Sequence, residues 1–347
     1  MFSKNLKYYR LMKKLSKKEL AEQIGVSAMA ITHYENNQRT PDMSTIQKLA
    51  TALGVKISDF LSSRKTSCVI IHNEFRKSSS LSKQGQDFVK ESAEEYYNRF
   101  ATIVEILGDK VLADAPVCHT LAVSGDAEID ARRLRSHLGF APTGPIENLI
   151  GQLENKGFLI YLCNIADSSF SGINGSVDGR PYIMINSNVT AERMRSTIIH
   201  ELAHIMFNWG NIKLLESEIE KHATAISGAF LFPKEDAIRE LGIHRSGIFG
   251  DMIPIAQEYG ISMWMLAQRA NILSIVPEYA ARRFFINTSK IGWRKNEPSR
   301  IPKETCSLFR QLVFRAVSEE EISVSRGAEL LKITYDEVLQ NTSFNEE

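Results

Sequence analysis

Cysteine is scarce and scattered. The 347 residues hold four, Cys68, Cys118, Cys163 and Cys306, with no CxxC pair among them. That excludes a disulfide framework and argues against a cysteine-based zinc site. It predicts reduced thiols in a cytoplasmic protein. Long apolar runs are missing too. None approaches the length that crosses a bilayer, and the opening MFSKNLKYYR has no apolar signal-peptide core, so no membrane partner is expected. A strong charge of either sign is also absent, with a formal net charge of +1. What remains is ordinary globular composition, 43% hydrophobic and 24% charged. The length exceeds one compact core, so two or three domains are expected.

What is there begins with a local imbalance of charge. Residues 1–60 carry ten Lys or Arg against five Asp or Glu, and seven of the ten fall in the first 18 residues. A basic patch on a near-neutral chain predicts one anion-binding module, with nucleic acid as the expected ligand; a solvated charged face is the alternative. The same stretch reads as five short helices. Leu6–Met12 comes first. Ser16 caps a second, with Glu19 at the capping-box position and Leu20, Ala21 and Ile24 facing inward. Gly25 makes a tight turn, and Ser27 caps a third helix over Ala28–Glu35. Met43–Leu53 and Ile57–Leu61 complete the bundle. Two short helices about a glycine turn are the signature of a helix-turn-helix.

The run LSKKELAEQIGVSAMAITHYENNQRTPDMSTIQKLATALGV, within Leu6–Leu61, resembles the Cro/repressor-like (XRE) family. The resemblance implies that the helix from Ser27 enters the major groove of double-stranded DNA. Ala28, Met29, Thr32 and His33 would then face the bases, with Lys17, Asn37 and Arg39 placed for phosphates. Family members often carry Gln and Arg where this chain has Ala28 and His33, so direct base readout is expected to be weaker or different. A helix-turn-helix kept for dimerisation or protein contact is the alternative.

Residues 63–87 read as a Ser- and Lys-rich linker with one short strand at Cys68–Ile71. Phe88, Tyr96, Phe100, Ile103, Val104 and Leu107 then recur at helical spacing. They mark a core-facing helix or, as the alternative, a helix that joins two chains in a homodimer. Two helices (Ala131–Leu138 and Ile146–Lys156), a strand (Phe158–Cys163) and a Ser- and Gly-rich loop (Ser168–Gly179) follow. Next comes a second strand of Tyr182, Ile183, Met184, Ile185 and Asn186. It is the candidate edge for binding an extended peptide substrate, with a fully paired inner strand as the alternative.

The most informative stretch is His200-Glu-Leu-Ala-His204. Two histidines four apart on a helix point the same way and can bind one metal ion from one face. Glu201 falls beside the open coordination position, where it can take a proton from a metal-bound water. This is the local geometry of a zinc metallopeptidase. The flanks, MRSTIIHELAHIMF, are apolar and free of Pro and Gly, which suits a buried helix. Two imidazoles and a carboxylate buried there need a partner, and Zn2+ is the simplest. Core histidines bound to carbonyls are the alternative.

A catalytic zinc site takes three protein ligands. The next helix, Leu215–Phe232, offers Glu216, Glu218, Glu220 and His222. Ala223, Ile226 and Phe230 mark its buried face, which Glu220 lies close to. His222 is the alternative third ligand, since imidazole serves zinc equally well.

The surroundings resemble the ImmA/IrrE family of zinc metallopeptidases. The motifs are GPIENLIGQLENKGF, RPYIMINSN, ERMRSTIIHELAHIMF, EKHATAISGAFLFP and QEYGISMWMLAQRANILSIV, between about Ala131 and Tyr279. The resemblance implies His200, His204 and Glu220 of the ExxA element as metal ligands and Glu201 as the general base. Thr224 and Ile226 stand where many members carry Asn or Asp and Phe. It also implies action on XRE-type repressors, by cutting a peptide bond with zinc-activated water. The transition-state donor is not identified; His244, Arg180 and Tyr182 are candidates.

The expected architecture is therefore multidomain. An all-α helix-turn-helix bundle (1–62) and a linker (63–87) precede an α+β zincin-like metallopeptidase domain (88–285) and a helical C-terminal segment (286–347). Phe309–Val317 and Arg326–Leu331 are amphipathic helices in that segment, to which no chemistry is assigned. The expected function is a transcriptional regulator with a zinc-dependent endopeptidase domain. A DNA-binding factor whose peptidase-like domain is an inert sensor is the rival. A purely structural zinc site, closed by a fourth protein ligand such as His222, is a third reading.

Overall fold

The computed structural model describes residues 2–61, 68–73, 81–167, 170–211, 213–293, 296–298 and 300–343. The chain forms two compact units. One comprises Met1–Ile70, Glu74–Val111 and Phe309–Glu347; the other comprises Ile71–Asn73 and Leu112–Leu308.

The first unit is helical. It opens with α1 (Phe2–Met12), α2 (Lys17–Ile24), α3 (Ala28–Glu35), α4 (Met43–Leu53) and α5 (Ile57–Leu61). Local chemistry sets these boundaries. The Ser16 hydroxyl accepts from the Glu19 amide at 3.1 Å while the Glu19 carboxylate accepts from the Ser16 amide at 2.7 Å, a closed capping box. Gly25 at φ 75° ends α2 in the left-handed region, and Ser27 caps α3. Leu6, Leu20, Ile24, Ile31, Leu49, Leu53 and Phe60 fill the core. Arg10 reaches through it from α1 to α3, donating to both Glu35 carboxylate oxygens at 2.5 and 3.0 Å.

After the short strand β1 (Ile70–His72) comes α6 (Lys83–Leu107), which belongs to this helical unit. Here the expected boundary at residue 88 is corrected. Phe88 stacks on Tyr8 with centroids 6.5 Å apart, and Lys7 pairs with Glu91 at 2.7 Å, so the apolar face of α6 covers α1.

The second unit starts with α7 (Ala127–His137) and α8 (Leu149–Glu154), followed by the strands β2 (Leu159–Cys163), β3 (Gly172–Val177) and β4 (Arg180–Asn186). The sheet order is β1-β3-β4-β2; β4 runs parallel to β2 and antiparallel to β3. Two expectations are corrected. Ser168–Gly179 is not all loop, because Gly172–Val177 forms β3. Its glycines answer to packing: a Cβ on Gly172 would lie 2.9 Å from Ile185 and Thr197 side chains. Nor is Tyr182–Asn186 an edge. Both sides of β4 are paired, Tyr182 opposite Leu159 on one side and Gly175 on the other. Its run of apolar residues reflects burial on both faces.

Helices α9 (Ala191–Met206), α10 (Glu216–Leu231), α11 (Lys234–Leu241), α12 (Ile253–Tyr259), α13 (Met263–Ile272) and α14 (Glu278–Lys290) complete this unit. Arg135 on α7, fully buried, donates to the carbonyls of Phe230, Ala141 and Gly144 at 2.7–3.0 Å and pins α7 to α10. No helix among the described residues is long and apolar enough to cross a membrane.

The chain ends with α15 (Leu308–Ser318), α16 (Val324–Leu331) and α17 (Tyr335–Thr342). From Phe309 onward they group with the helical unit, so the expected separate C-terminal segment does not stand alone. Phe309 meets Tyr96 at 5.3 Å between centroids, and Lys332 pairs with Glu95 at 2.8 Å. The pair α16–α17 repeats the construction of α2–α3. Ser323 and Thr334 cap the two helices as Ser16 and Ser27 do, and Lys332 at φ 58° occupies the turn position of Gly25.

Candidate metal centre

The His200–His204 pair sits on α9, which Thr190 caps. Their Nε2 atoms lie 3.3 Å apart. Glu220, in the second turn of α10, completes a triangle: one carboxylate oxygen is 3.4 Å from His200 Nε2 and the other 3.5 Å from His204 Nε2. Ligands about 2.1 Å from a tetrahedral zinc stand about 3.4 Å from one another. The three donors are thus spaced as zinc spaces them, and two imidazoles with one carboxylate are a zinc donor set. Among the described residues these three form a group able to hold a metal ion.

The supporting hydrogen bonds fix the chemistry of this group. Thr224, one turn beyond Glu220, donates its single hydroxyl proton to the Glu220 carbonyl at 2.9 Å. Its oxygen, 3.2 Å from His200 Nδ1, therefore accepts from a protonated Nδ1. That leaves the lone pair on Nε2, the atom facing the cluster. Trp209 flanks His204 at 5.7 Å between centroids, its indole N–H held by the Ala203 carbonyl at 3.2 Å.

Glu201 is 5% exposed, and its Oε2 accepts from the Asn174 side-chain amide at 2.6 Å. Asn174 lies on β3 and was missed in the sequence, because a Gly-Ile-Asn-Gly stretch reads as loop until its strand register is known. His222 turns elsewhere. Its Nε2 is 2.8 Å from Asp130 on α7, and Asp130 also accepts from the Ser124 amide at 3.0 Å. Burial alone would raise the Asp130 carboxyl; the hydrogen bonds from His222 and Ser124 outweigh it and hold it below the usual carboxylate range. The structure thus brings Glu220, not His222, to the histidine pair.

Of the three donor candidates, only Tyr182 neighbours the site. It is fully buried on β4, its hydroxyl 2.6 Å from His72 Nδ1, and burial together with the Glu201 charge pushes its pKa well up. Arg180 is held by the Ala113 and Gly157 carbonyls at 2.7 and 2.9 Å, and His244 is exposed in a loop.

In the helical unit, Ala28 and Met29 are exposed at the start of α3, and Thr32 and His33 are half-buried along it. The Thr32 hydroxyl donates back to the Ala28 carbonyl at 3.1 Å. Asn37 adopts φ 56°, and Arg39 is exposed beyond α3. Lys17 leans inward, its Nζ 3.7 Å from Glu35.

A capped helix-turn-helix bundle and a mixed sheet carrying an HExxH helix define a regulator-like protein with a metallopeptidase-like domain. Comparison with known proteins agrees. Residues 6–60 match the helix-turn-helix family and residues 155–271 match the IrrE N-terminal-like domain. The chain is 34% identical over 77 residues to the HTH-type transcriptional regulator YqaE of Bacillus subtilis, which is 22% of this chain and 66% of that protein. It is 33% identical over 66 residues to the cryptic phage CTXphi transcriptional repressor RstR of Vibrio cholerae, 19% of this chain and 60% of that repressor. An HTH-type transcriptional regulator of Methanocaldococcus jannaschii is 39% identical over 54 residues, 16% of this chain and 82% of its own length. The chain spans just under two thirds of the length of the first two relatives. It belongs to the helix-turn-helix family through its N-terminal bundle, and it carries an IrrE N-terminal-like domain behind it.

Proposed function

We propose that this chain is a cytoplasmic DNA-binding regulator whose second unit is a zinc-dependent endopeptidase acting on a regulatory protein of the XRE repressor type. The observation that carries the reading is the 3.3–3.5 Å triangle of His200 Nε2, His204 Nε2 and a Glu220 carboxylate. Zinc held there supplies a Lewis acid that polarises the scissile carbonyl. Glu201 takes the proton from the attacking water and delivers it to the leaving amine. Asn174 holds the Glu201 carboxylate in place, and Thr224 keeps His200 in the tautomer that binds metal. Ala28, Met29, Thr32 and His33 contact bases, while Lys17, Asn37 and Arg39 serve phosphates.

The test is metal content and cleavage together. Purified chain should hold about one zinc, and it should cut an XRE-type repressor encoded beside it. Glu201→Gln should keep the zinc and abolish the cut. Zinc retained with no cleavage by the unaltered chain would return the domain to a binding role. Absence of zinc under non-chelating conditions would remove the metal site itself.

A further inference from the structure

Three residues of this chain sit in a unit to which neither of their sequence neighbours belongs. Ile71–Asn73 group with the peptidase-like unit, whereas the residues on both sides group with the helical unit. They carry most of β1, and β1 occupies the outer edge of β3. That edge lies next to the general base. The Asn73 amide donates to the Asn174 carbonyl at 3.1 Å, and the Asn73 side-chain amide donates to Asn174 Oδ1. The other end of the same Asn174 side chain donates to Glu201 at 2.6 Å. The run Asn73–Asn174–Glu201 thus places β1 one side chain away from the catalytic carboxylate. Gly175 allows the close approach, since a Cβ there would lie 2.2 Å from the Ile71 carbonyl oxygen. His72 Nδ1 lies 2.6 Å from the hydroxyl of Tyr182 on β4.

A protein substrate must offer an extended backbone to this site, and extended peptides bind sheets by adding a strand to an edge. The sheet has two edges. That of β2 is separated from β3 by β4, whereas β3 carries Asn174, which donates to Glu201. β1 is a short occupant of that edge, three residues long with Ile71 57% exposed. A strand this short, at the rim of a sheet, opens locally at lower cost than the strands inside it.

We propose that the β3 edge is the acceptor site for an extended segment of the protein substrate, and that Ile71–Asn73 fills it as an internal stand-in that must leave before substrate binds. The proposal rests on the reading of Glu201 as the catalytic base.

The experiment uses the full chain carrying Glu201→Gln and a fluorescein-labelled peptide with the sequence of residues 69–73, followed by fluorescence anisotropy. Asn73→Pro removes both the amide donor and the side chain that hold β1. The peptide is expected to bind the Asn73→Pro chain at least tenfold tighter than the chain with Asn73 intact. Equal binding, or binding to neither, overturns the proposal. Hydrogen exchange in the chain with Asn73 intact gives a check independent of folding of the variant. The Asn73 amide is expected to exchange at least 100-fold faster than those of Ile183 and Ile185 in β4. Exchange as slow as theirs would mean that β1 does not release, and sinks the idea. Neither readout needs zinc or proteolysis, so failure of the metal site and failure of the stand-in are seen separately.

Discussion

The helical unit and the peptidase-like unit place the side chains proposed for function differently. In the first, Ala28, Met29, Asn37 and Arg39 of the side chains proposed to meet DNA are exposed, while Thr32, His33 and Lys17 are half-buried, and the buried charges Arg10 and Glu35 satisfy each other. In the second, the chemistry lies inward. His200, His204 and Glu220 converge, and Glu201 is buried against Asn174. Removing a reading residue from the first unit should therefore cost recognition without stability. Removing a ligand from the second should cost the metal, and removing a buried structural charge from the first should cost the fold.

The largest effect tests that last clause. Arg10→Ala leaves the Glu35 carboxylate buried without its hydrogen-bonded partner, Lys17 standing 3.7 Å away. Breaking one side of a buried pair costs about 3–5 kcal/mol. The unfolding midpoint of the helical unit, followed by circular dichroism, should fall accordingly; an unchanged midpoint would show that the pair carries no net stability. Second, Glu220→Ala should weaken zinc affinity more than about 100-fold, whereas His222→Ala, which loses a contact to Asp130, should weaken it less than about tenfold. Competition with a chromophoric chelator decides between them, and the reverse order would overturn the ligand assignment.

The third effect depends on pH. Burial alone would raise the Glu95 carboxyl, but Arg99 and Lys332 beside it outweigh burial and hold it below the usual carboxylate range. A pKa depressed in the folded state contributes stability that is complete above the unfolded value, about 4.3, and is lost as pH falls through the folded value. Stability of the helical unit should decline over that acid range, and Glu95→Gln should flatten the decline. A variant with the unaltered slope would remove Glu95 as its source. The smallest effect is that of Met29→Ala. It should leave the unfolding free energy within about 0.5 kcal/mol of the parent while altering affinity for operator DNA in a gel-shift titration. Unaltered DNA affinity would remove Met29 from the reading surface.

Much of the architecture was legible where short-range chemistry decides it. The Ser16–Glu19 box, Gly25 and Ser27 fix α2 and α3 through local hydrogen bonds and one left-handed residue. The His200–His204 spacing needs only the helical period. Glu220 could be favoured over His222 because one stripe of α10 faces inward. Long-range features were less visible. The glycines of β3 are dictated by Ile185, Thr197 and Ile71, which lie far away in the chain, so a strand resembled a loop. The pairing of β4 on both sides follows from β3, and with β3 unseen an inner strand passed for an edge. Asn174 gave no local signal at all. The placement of α6 with the first unit depends on Phe88 meeting Tyr8, a contact no periodicity announces.

The repeated construction of α16–α17 carries a consequence for stoichiometry. The second copy has the shape of a reading pair, yet Asp336 and Glu337 stand in the first turn of α17, at the positions that Met29 and Ala30 hold in α3. Carboxylates there repel a polyanion. Of the two similar helix pairs, α2–α3 is the one without carboxylates in the first turn of its second helix; if that pair reads DNA as proposed, a two-fold symmetric operator would take two chains, one for each half-site.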